Sequence, residues 1–422
     1  MAEEDWVQSF RSCLRTKAVA KIGHSPWTYR LPSGGLPHLL SPILAIVDDP
    51  PFTPKVTALA SRQAAVEPAQ KRAAMIREVQ AIFAGKELAR TTFQDRYGFA
   101  RPPMATKMGD KWVIAIGGSI YKQTRDGGYN FVNALHDHAL AFFGEAFIDA
   151  EEAKPFESRH PAIQWLDTVI SVDEQHYKEN EGPRGYGVGA GAAWGRFSYD
   201  LYTIADNSEL QASLRKRLLS GRDWQGARHE LRVAALCVVA GFELKYEDES
   251  DGSRTHPEFV ATDKRSGIRV AVEAKSRHRH GVQGFQGGKQ IEPGETVEIR
   301  SLVLDAYKKA TDLPLYVFVD TNLPPGALDD RGKWMVEMEQ TMNDLAHEGY
   351  TSPCPANAIF FTNDPSHYMG ESKIGSAEDR LWIRNFTAEL PRVAHPFEDI
   401  VARFMRAHDQ RLAPPQDFVS FN

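Results

Sequence analysis

The sequence predicts an α/β fold in which a mixed β-sheet flanked by helices forms the C-terminal half and follows a mostly helical N-terminal domain. Three observations lead to this prediction. Short apolar runs separated by turn residues recur after residue 240, which is typical of strands. Patterns with helical spacing stand between the later runs, which indicates parallel strands joined by helices. The first 205 residues show helical spacing over most of their length, and 422 residues are long for a single core.

The elements of the N-terminal half follow from local composition. Prolines and glycines crowd residues 24–54 and predict an irregular segment, whereas residues 55–96 read as helices. The run "KWVIAIGGSIYKQT" predicts a hairpin that turns at Gly117-Gly118. Helical spacing returns in "NFVNALHDHALAFFGEAFIDAEEAK" and "HPAIQWLDTVI". The glycine-rich stretch 179–195 predicts a connector or a binding loop, after which helices continue to about residue 219.

The C-terminal half predicts a single ordered series of elements. A helix over "GARHELRVAALCVVAG" ends at Gly241, the residue type that helix C-termini favour. Three strands follow in "FELKYED", "PEFVATD" and "IRVAVEAK", separated by the turn signals "ESDGS" and "KRSG". The series continues with a helix in "SLVLDAYKKA", a strand in "LPLYVFVDTN", a helix in "KWMVEMEQTMNDLAHEG" and a strand in "NAIFFTND". We therefore predict an N-terminal domain over 1–205 and a second domain over 206–422, with its core at about 222–365.

Composition sets the expected surroundings. Hydrophobic residues make up 42% and charged residues 25% of the chain, as in ordinary soluble proteins. The formal net charge of −6 argues against binding nucleic acid by bulk charge but leaves room for a local basic groove. Three scattered cysteines fit neither a disulfide framework nor a zinc site. With no membrane-spanning run either, we expect a cytoplasmic protein that does not enter a membrane.

Charged residues within the strand "IRVAVEAK" indicate a site. Side chains alternate between the two faces of a strand, so Glu273 and Lys275 project side by side, opposite an apolar face. Glu258 begins the preceding strand, and antiparallel pairing across "KRSG" would bring it beside Glu273. Two close carboxylates repel unless a cation lies between them. Oxygen ligands with room for water favour Mg²⁺ or Mn²⁺, and Lys275 would orient or deprotonate a water, or hold an anionic group.

These residues resemble the PD-(D/E)XK nuclease superfamily: an acid after proline, a gap, then acid-x-Lys on a strand, all preceded by a helix bearing a glutamate. The resemblance covers roughly residues 222–320 and implies a restriction-endonuclease-like fold. It also implies magnesium-dependent hydrolysis of phosphodiester bonds, most often in DNA. By position, Glu258 and Glu273 take the places of the two acids, and Lys275 that of the lysine. Glu230 takes the place of a helix glutamate that adds to the metal shell. The chain departs from the family at Glu258, where aspartate is usual, although the longer side chain can still reach a metal.

Other interpretations of these residues stay open at this stage. Glu-x-Lys occurs four times, but only at 273–275 does an acid-bearing strand precede it and a helix-strand pair follow. The pair could instead be a charged couple on a half-exposed edge strand. The basic cluster of Arg277, His278 and Arg279 is either a solvated loop or a set of contacts to substrate phosphates.

We therefore predict a metal-dependent endonuclease that hydrolyses phosphodiester bonds, with DNA as substrate rather than RNA, and in which homodimerisation is possible. Glu258, Glu273 and Glu230 would hold the metal, and Lys275 would position the attacking water. One alternative is an inactive module of the same fold that binds nucleic acid or a protein partner. Another places the activity in the N-terminal half, around the glycine-rich stretch.

Overall fold

The computed structural model of the chain describes a defined set of residues. They are 87–108, 111–116, 119–123, 130–178, 187–246, 256–279, 298–309, 311–323, 331–348, 356–368, 370–371 and 397–418, with single residues 74, 77 and 85. The described residues from 96 onward belong to one compact unit, and those before residue 96 belong to a second. In the second unit the described residues are helical. The predicted irregular segment 24–54 and most of the predicted helices over 55–96 lie outside the described residues.

A small sheet and a group of helices come first along the described chain. The sheet is antiparallel, in the order β1-β2-β3. Its strands are β1 (Ala105–Met108), β2 (Lys111–Ile116) and β3 (Ser119–Gln123). The predicted hairpin is confirmed as β2 and β3, and β1 adds a strand that the sequence did not indicate. The helices are α1 (Phe131–Phe143), α2 (Glu145–Glu152), α3 (Pro161–Lys178), α4 (Gly189–Asn207) and α5 (Ala212–Leu218).

The C-terminal half contains a five-stranded mixed sheet in the order β4-β5-β6-β7-β8. Its strands are β4 (Phe242–Tyr246), β5 (Phe259–Asp263), β6 (Arg269–Ser276), β7 (Leu315–Asp320) and β8 (Ala358–Thr362). The pairs β4–β5 and β5–β6 are antiparallel, whereas β6–β7 and β7–β8 are parallel. The flanking helices are α6 (Trp224–Val239), α7 (Arg300–Tyr307), α8 (Arg331–His347) and α9 (Phe397–Leu412). The predicted element order is confirmed, and α9 extends it.

Helices cover both faces of this sheet. Val270, Val272 and Ala274 of β6 join one core with α6 and α9, whereas Ala271 joins another with α7 and α8. The alternation follows from the two-residue period of a strand. The first core also includes apolar side chains of α1, α3 and α4, so helices before residue 205 share it with the sheet. The predicted division of roles between 1–205 and 206–422 stays a prediction.

Glycine acts differently at three places in the helical layer. Gly241 follows α6 with φ +95°, so the predicted helix end is confirmed. Gly144 has φ +81° and separates α1 from α2, which interrupts the helical pattern seen in the sequence.

The stretch 189–195 was predicted as a connector or loop, and this is wrong, because Gly189 begins helix α4. Small side chains here fit a buried helix start, where Gly189, Ala190 and Gly191 are all covered. Residues 179–186 lie outside the described residues.

Buried charges link α4, α6, β7, β8 and α9. Asp364, just after β8, pairs with Arg196 of α4 and with Arg232 of α6, each at 2.7 Å. Asp200 of α4 accepts from Arg411 of α9 with both oxygens at 2.8 Å. Asp320, at the end of β7, lies 3.6 Å from Arg232. Burial raises the pKa of Asp364, but the neighbouring arginines outweigh it and hold the pKa well below its usual value. We call Arg196, Asp200, Arg232, Asp320, Asp364 and Arg411 the buried ionic network.

Among the described helices, none combines the length and the apolar composition needed to cross a membrane.

Candidate active site

The site is built on β6, an interior strand with neighbours on both sides. Glu273 lies opposite Val317 of β7, and Lys275 lies opposite Val319. Both share the face of Ala271, on the side of α7 and α8. Glu273 is 0% exposed. It stands three residues before the end of β6, so it projects into the interior of the domain and not from the end of an edge strand.

Glu258 lies directly before β5, the antiparallel partner of β6. Phe259, the first residue of β5, pairs with Val272 of β6. The backbone N–H of Glu258 donates to the carbonyl of the same Val272 at 3.0 Å, so Glu258 and Phe259 both face Val272 and the regular register ends at Phe259. The Glu273 carboxylate is close enough to raise the pKa of Glu258. The predicted antiparallel pairing of the two strands is confirmed, whereas a direct pairing of Glu258 with Glu273 stays a prediction.

Two lysines neutralise the Glu273 carboxylate. Lys275 Nζ lies 2.8 Å from Glu273 Oε1, and Lys309 Nζ lies 3.2 Å from the same oxygen. Neither oxygen of the Glu273 carboxylate accepts a hydrogen bond of regular geometry from the described residues, so the two lysines act on Oε1 as ion-pair partners and Oε2 has no donor. Lys309 follows α7 and was not identified from the sequence. Its one signal is its position three residues after the buried Ala306, which puts it on the inward side of the helix.

The electrostatics of the site set which groups carry charge. Burial raises the pKa of Glu258 to about 8, and the carboxylates of Glu230 and Glu273 add to this effect. Burial also raises the pKa of Glu273, against the lowering effect of its two lysines. Burial lowers the pKa of Lys275, but Glu273 and Glu258 outweigh it, so the pKa is raised overall. Lys275 is therefore a cation and a hydrogen-bond donor at neutral pH, which excludes it as the resting general base.

Glu230 lies on α6 close enough to Glu258 to raise that pKa. Its own carboxylate is held by Arg217 of α5, whose Nη1 donates to Oε1 at 2.5 Å and whose Nη2 donates to Oε2. Both oxygens are thus occupied by one guanidinium group. A role of Glu230 in a metal shell stays a prediction and would require this ion pair to open.

The three predicted substrate contacts, residues 277–279, lie in different surroundings. Arg277 Nη2 donates to Glu298 Oε2 at 2.6 Å. His278 is exposed, whereas Arg279 is 2% exposed. Gln225 of α6 holds the backbone N–H and carbonyl of Arg279, each at 2.9 Å. Of the three side chains, His278 is the one open to solvent, and contact of all three with substrate stays a prediction.

The carboxylates of Glu258 and Glu273 make a limited but suitable cation site, in which, among the described residues, Glu273 Oε2 has no donor. Across the residues that the structure describes, no group of three or more His, Cys, Asp or Glu side chains is arranged to hold a metal ion. Mg²⁺, however, is commonly held by one or two carboxylates and keeps several waters. Glu258 and Glu273 Oε2 fit that pattern. The chemistry of these oxygen donors suits Mg²⁺ or Mn²⁺, and the contribution of Glu230 stays a prediction.

The chain matches no protein-family model, no curated protein and no solved structure.

Proposed function

We propose that this protein is a metal-dependent nuclease of the PD-(D/E)XK type that hydrolyses phosphodiester bonds, with DNA as the preferred substrate. One observation carries the proposal. Glu258 adjoins β5, the strand that pairs with β6, and lies close enough to Glu273 for that carboxylate to raise its pKa, while Lys275 Nζ lies 2.8 Å from Glu273 Oε1. A buried acidic pair costs folding free energy unless a cation compensates it, so its presence is typical of a functional site.

The topology supports the same proposal. A helix, three antiparallel strands, a helix and then a parallel strand surround the acids, which is the order that the resemblance implies. The restriction-endonuclease-like character of the fold is part of this proposal, as are the possible homodimer and the cytoplasmic location.

Each residue has a distinct task in the proposed reaction. Glu258 and Glu273 would hold Mg²⁺ or Mn²⁺, which when bound supplies a water of lowered pKa and neutralises phosphate charge. Lys275, a cation at neutral pH, would donate hydrogen bonds to the attacking water or to a phosphate oxygen. Burial of Glu273 keeps bulk water away and so strengthens these interactions.

The test uses the purified full chain with linear, circular and single-stranded DNA and with structured RNA, in Mg²⁺, Mn²⁺ or EDTA. We expect cleavage that requires the metal. Glu273→Gln and Lys275→Met should each lower the rate by about 100-fold or more, because each removes a group that acts on the reacting phosphate. Thermal melting of each variant checks that it is folded.

A second Glu-x-Lys provides the matched control. Glu243 and Lys245 lie on β4, where Glu243 is exposed at the edge of the sheet. Glu243→Gln and Lys245→Met make the same chemical changes away from the site and should leave cleavage unchanged. Equal losses in both pairs, or cleavage that persists in EDTA, would contradict the proposal.

A second candidate function is a nucleic-acid-binding module without catalysis. It is favoured by the arrangement of the cations, because Arg217 holds Glu230 while Lys275 and Lys309 hold Glu273. Tight binding of nucleic acid with no cleavage in either metal would select it. The alternative centred on residues 179–195 has less support, since Gly189 and Gly191 are buried at the start of α4.

A further inference from the structure

Lys309 places a second ammonium group beside the buried Glu273 carboxylate. Its Nζ and that of Lys275 contact the same oxygen of Glu273. The two ammonium groups therefore lie close to each other. The lysine side chains are 20% and 22% exposed, whereas that of Glu273 is fully buried. The ammonium groups of Lys275 and Lys309 therefore lie on the solvent-accessible side of the site, and the Glu273 carboxylate lies beneath them.

The two ammonium groups favour binding of an anion. They share one oxygen of the Glu273 carboxylate. Of the further acids that act on them, Glu258 and Asp305, the second is paired with Lys308. Each ammonium has three donors, and one contact to Oε1 leaves donors on both groups for a further acceptor. Phosphate oxygens suit such a pair, because a phosphodiester offers two anionic oxygens to separate point charges.

We propose that Lys309 contacts a backbone phosphate of the nucleic-acid substrate beside Lys275 and so positions the strand over Glu273. This inference rests on the proposed function, since it assigns the way in which the same site holds its substrate. Lys309 is a positioning residue: it comes from the end of α7 and lies outside the Glu-x-Lys strand.

The neighbouring lysine offers a matched control. Lys308 differs from Lys309 by one position, pairs with Asp305 at 2.7 Å and has a side chain that is 70% exposed. Removal of either lysine changes the net charge by the same amount. Of the two, only Lys309 contacts Glu273. A difference in DNA affinity between the two variants would therefore come from the position of the lysine and not from the net charge of the protein.

The experiment measures binding of a fluorescein-labelled DNA duplex to the full chain by anisotropy in Ca²⁺, over a series of salt concentrations, with a gel to verify that the duplex stays intact. Lys309→Ala should weaken binding by about 5- to 10-fold at low salt and reduce the slope of log K against log salt by about 1. Lys309→Arg should stay within about twofold of wild type, because the guanidinium also binds phosphate. Lys308→Ala should bind as wild type does.

Two results would overturn the inference. Unchanged affinity and salt slope in Lys309→Ala would show that no phosphate contact is lost. An equal loss in Lys308→Ala would show that general charge is responsible. Melting temperatures of all variants establish that each is folded, and recovery with Lys309→Arg separates a charge contact from a packing effect.

Failure of this inference differs from failure of the proposed function. If wild type cleaves nothing in Mg²⁺ or Mn²⁺, the nuclease proposal fails, while the comparison of Lys309 with Lys308 in binding still stands. If wild type cleaves and Lys309→Ala binds and cleaves normally, the nuclease proposal stands and the role of Lys309 is refuted.

Discussion

At the scale of single residues, Glu258 determines how the site responds to pH. Burial and two neighbouring carboxylates raise its pKa to about 8, so without a divalent cation it is largely protonated at neutral pH. A carboxyl group with a raised pKa in the folded state binds its proton more tightly there than in the unfolded chain. Its contribution to stability is therefore complete below the ordinary pKa of 4.5 and is lost as the pH rises through about 8.

This shift predicts a pH-dependent difference between wild type and Glu258→Gln. In EDTA, the free energy of unfolding of wild type should fall relative to the variant between about pH 5 and about pH 9, by on the order of 1–2 kcal/mol after allowance for the partial exposure of Glu258. Urea unfolding at several pH values measures the difference. A constant difference across this range would show that Glu258 has an ordinary pKa.

At the scale of elements, α6 contacts both the acidic residues of the site and the basic cluster 277–279. It carries Glu230 toward Glu258, holds Arg279 through Gln225 and packs against β6. The helix then reverses into β4 at Gly241, whose φ of +95° is costly for any residue with a Cβ atom. A Cβ at this position would also lie 3.2 Å from the ring of Phe99.

Gly241→Ala should therefore destabilise the protein more than a second glycine substitution does. Gly267, in the turn between β5 and β6, has φ +72° but open space around its Cβ position. We expect Gly267→Ala to cost about 1 kcal/mol from backbone strain alone, and Gly241→Ala to cost about 1 kcal/mol more because of Phe99. Urea unfolding of both variants tests this, and equal losses would exclude a contribution from crowding.

At the scale of the whole molecule, the buried ionic network ties the N-terminal helices to the sheet. Asp364 forms ion pairs with Arg196 of α4 and Arg232 of α6, and Asp200 forms one with Arg411 of α9. Charges buried in this way stabilise a fold only as a set, because loss of one partner leaves the others without compensation. The helices before residue 207 and the sheet should accordingly unfold together.

Asp364→Asn should lower the free energy of unfolding by about 3–5 kcal/mol, since two largely buried guanidinium groups each lose the carboxylate that lies 2.7 Å away. Glu348→Gln is the control: it breaks the ion pair of Glu348 with Arg300, both exposed, and should cost less than about 0.5 kcal/mol. Circular dichroism and tryptophan fluorescence should report one shared transition in wild type. If Asp364→Asn is as stable as wild type, the network does not stabilise the fold.

The sequence alone determined the order of elements in the C-terminal half and the placement of Glu273 and Lys275 on one face of β6. Both rest on local rules, namely strand periodicity, turn residues and the glycine that ends α6. The antiparallel pairing of β5 with β6 was also within reach, because a short turn joins the two strands. Only the tertiary structure decided which cations meet these acids. Arg217 on Glu230, Lys309 on Glu273 and the burial of Arg279 depend on how separate helices pack against the sheet. The helical start of α4 likewise depends on packing, since glycine is a poor helix former and its two glycines are buried there.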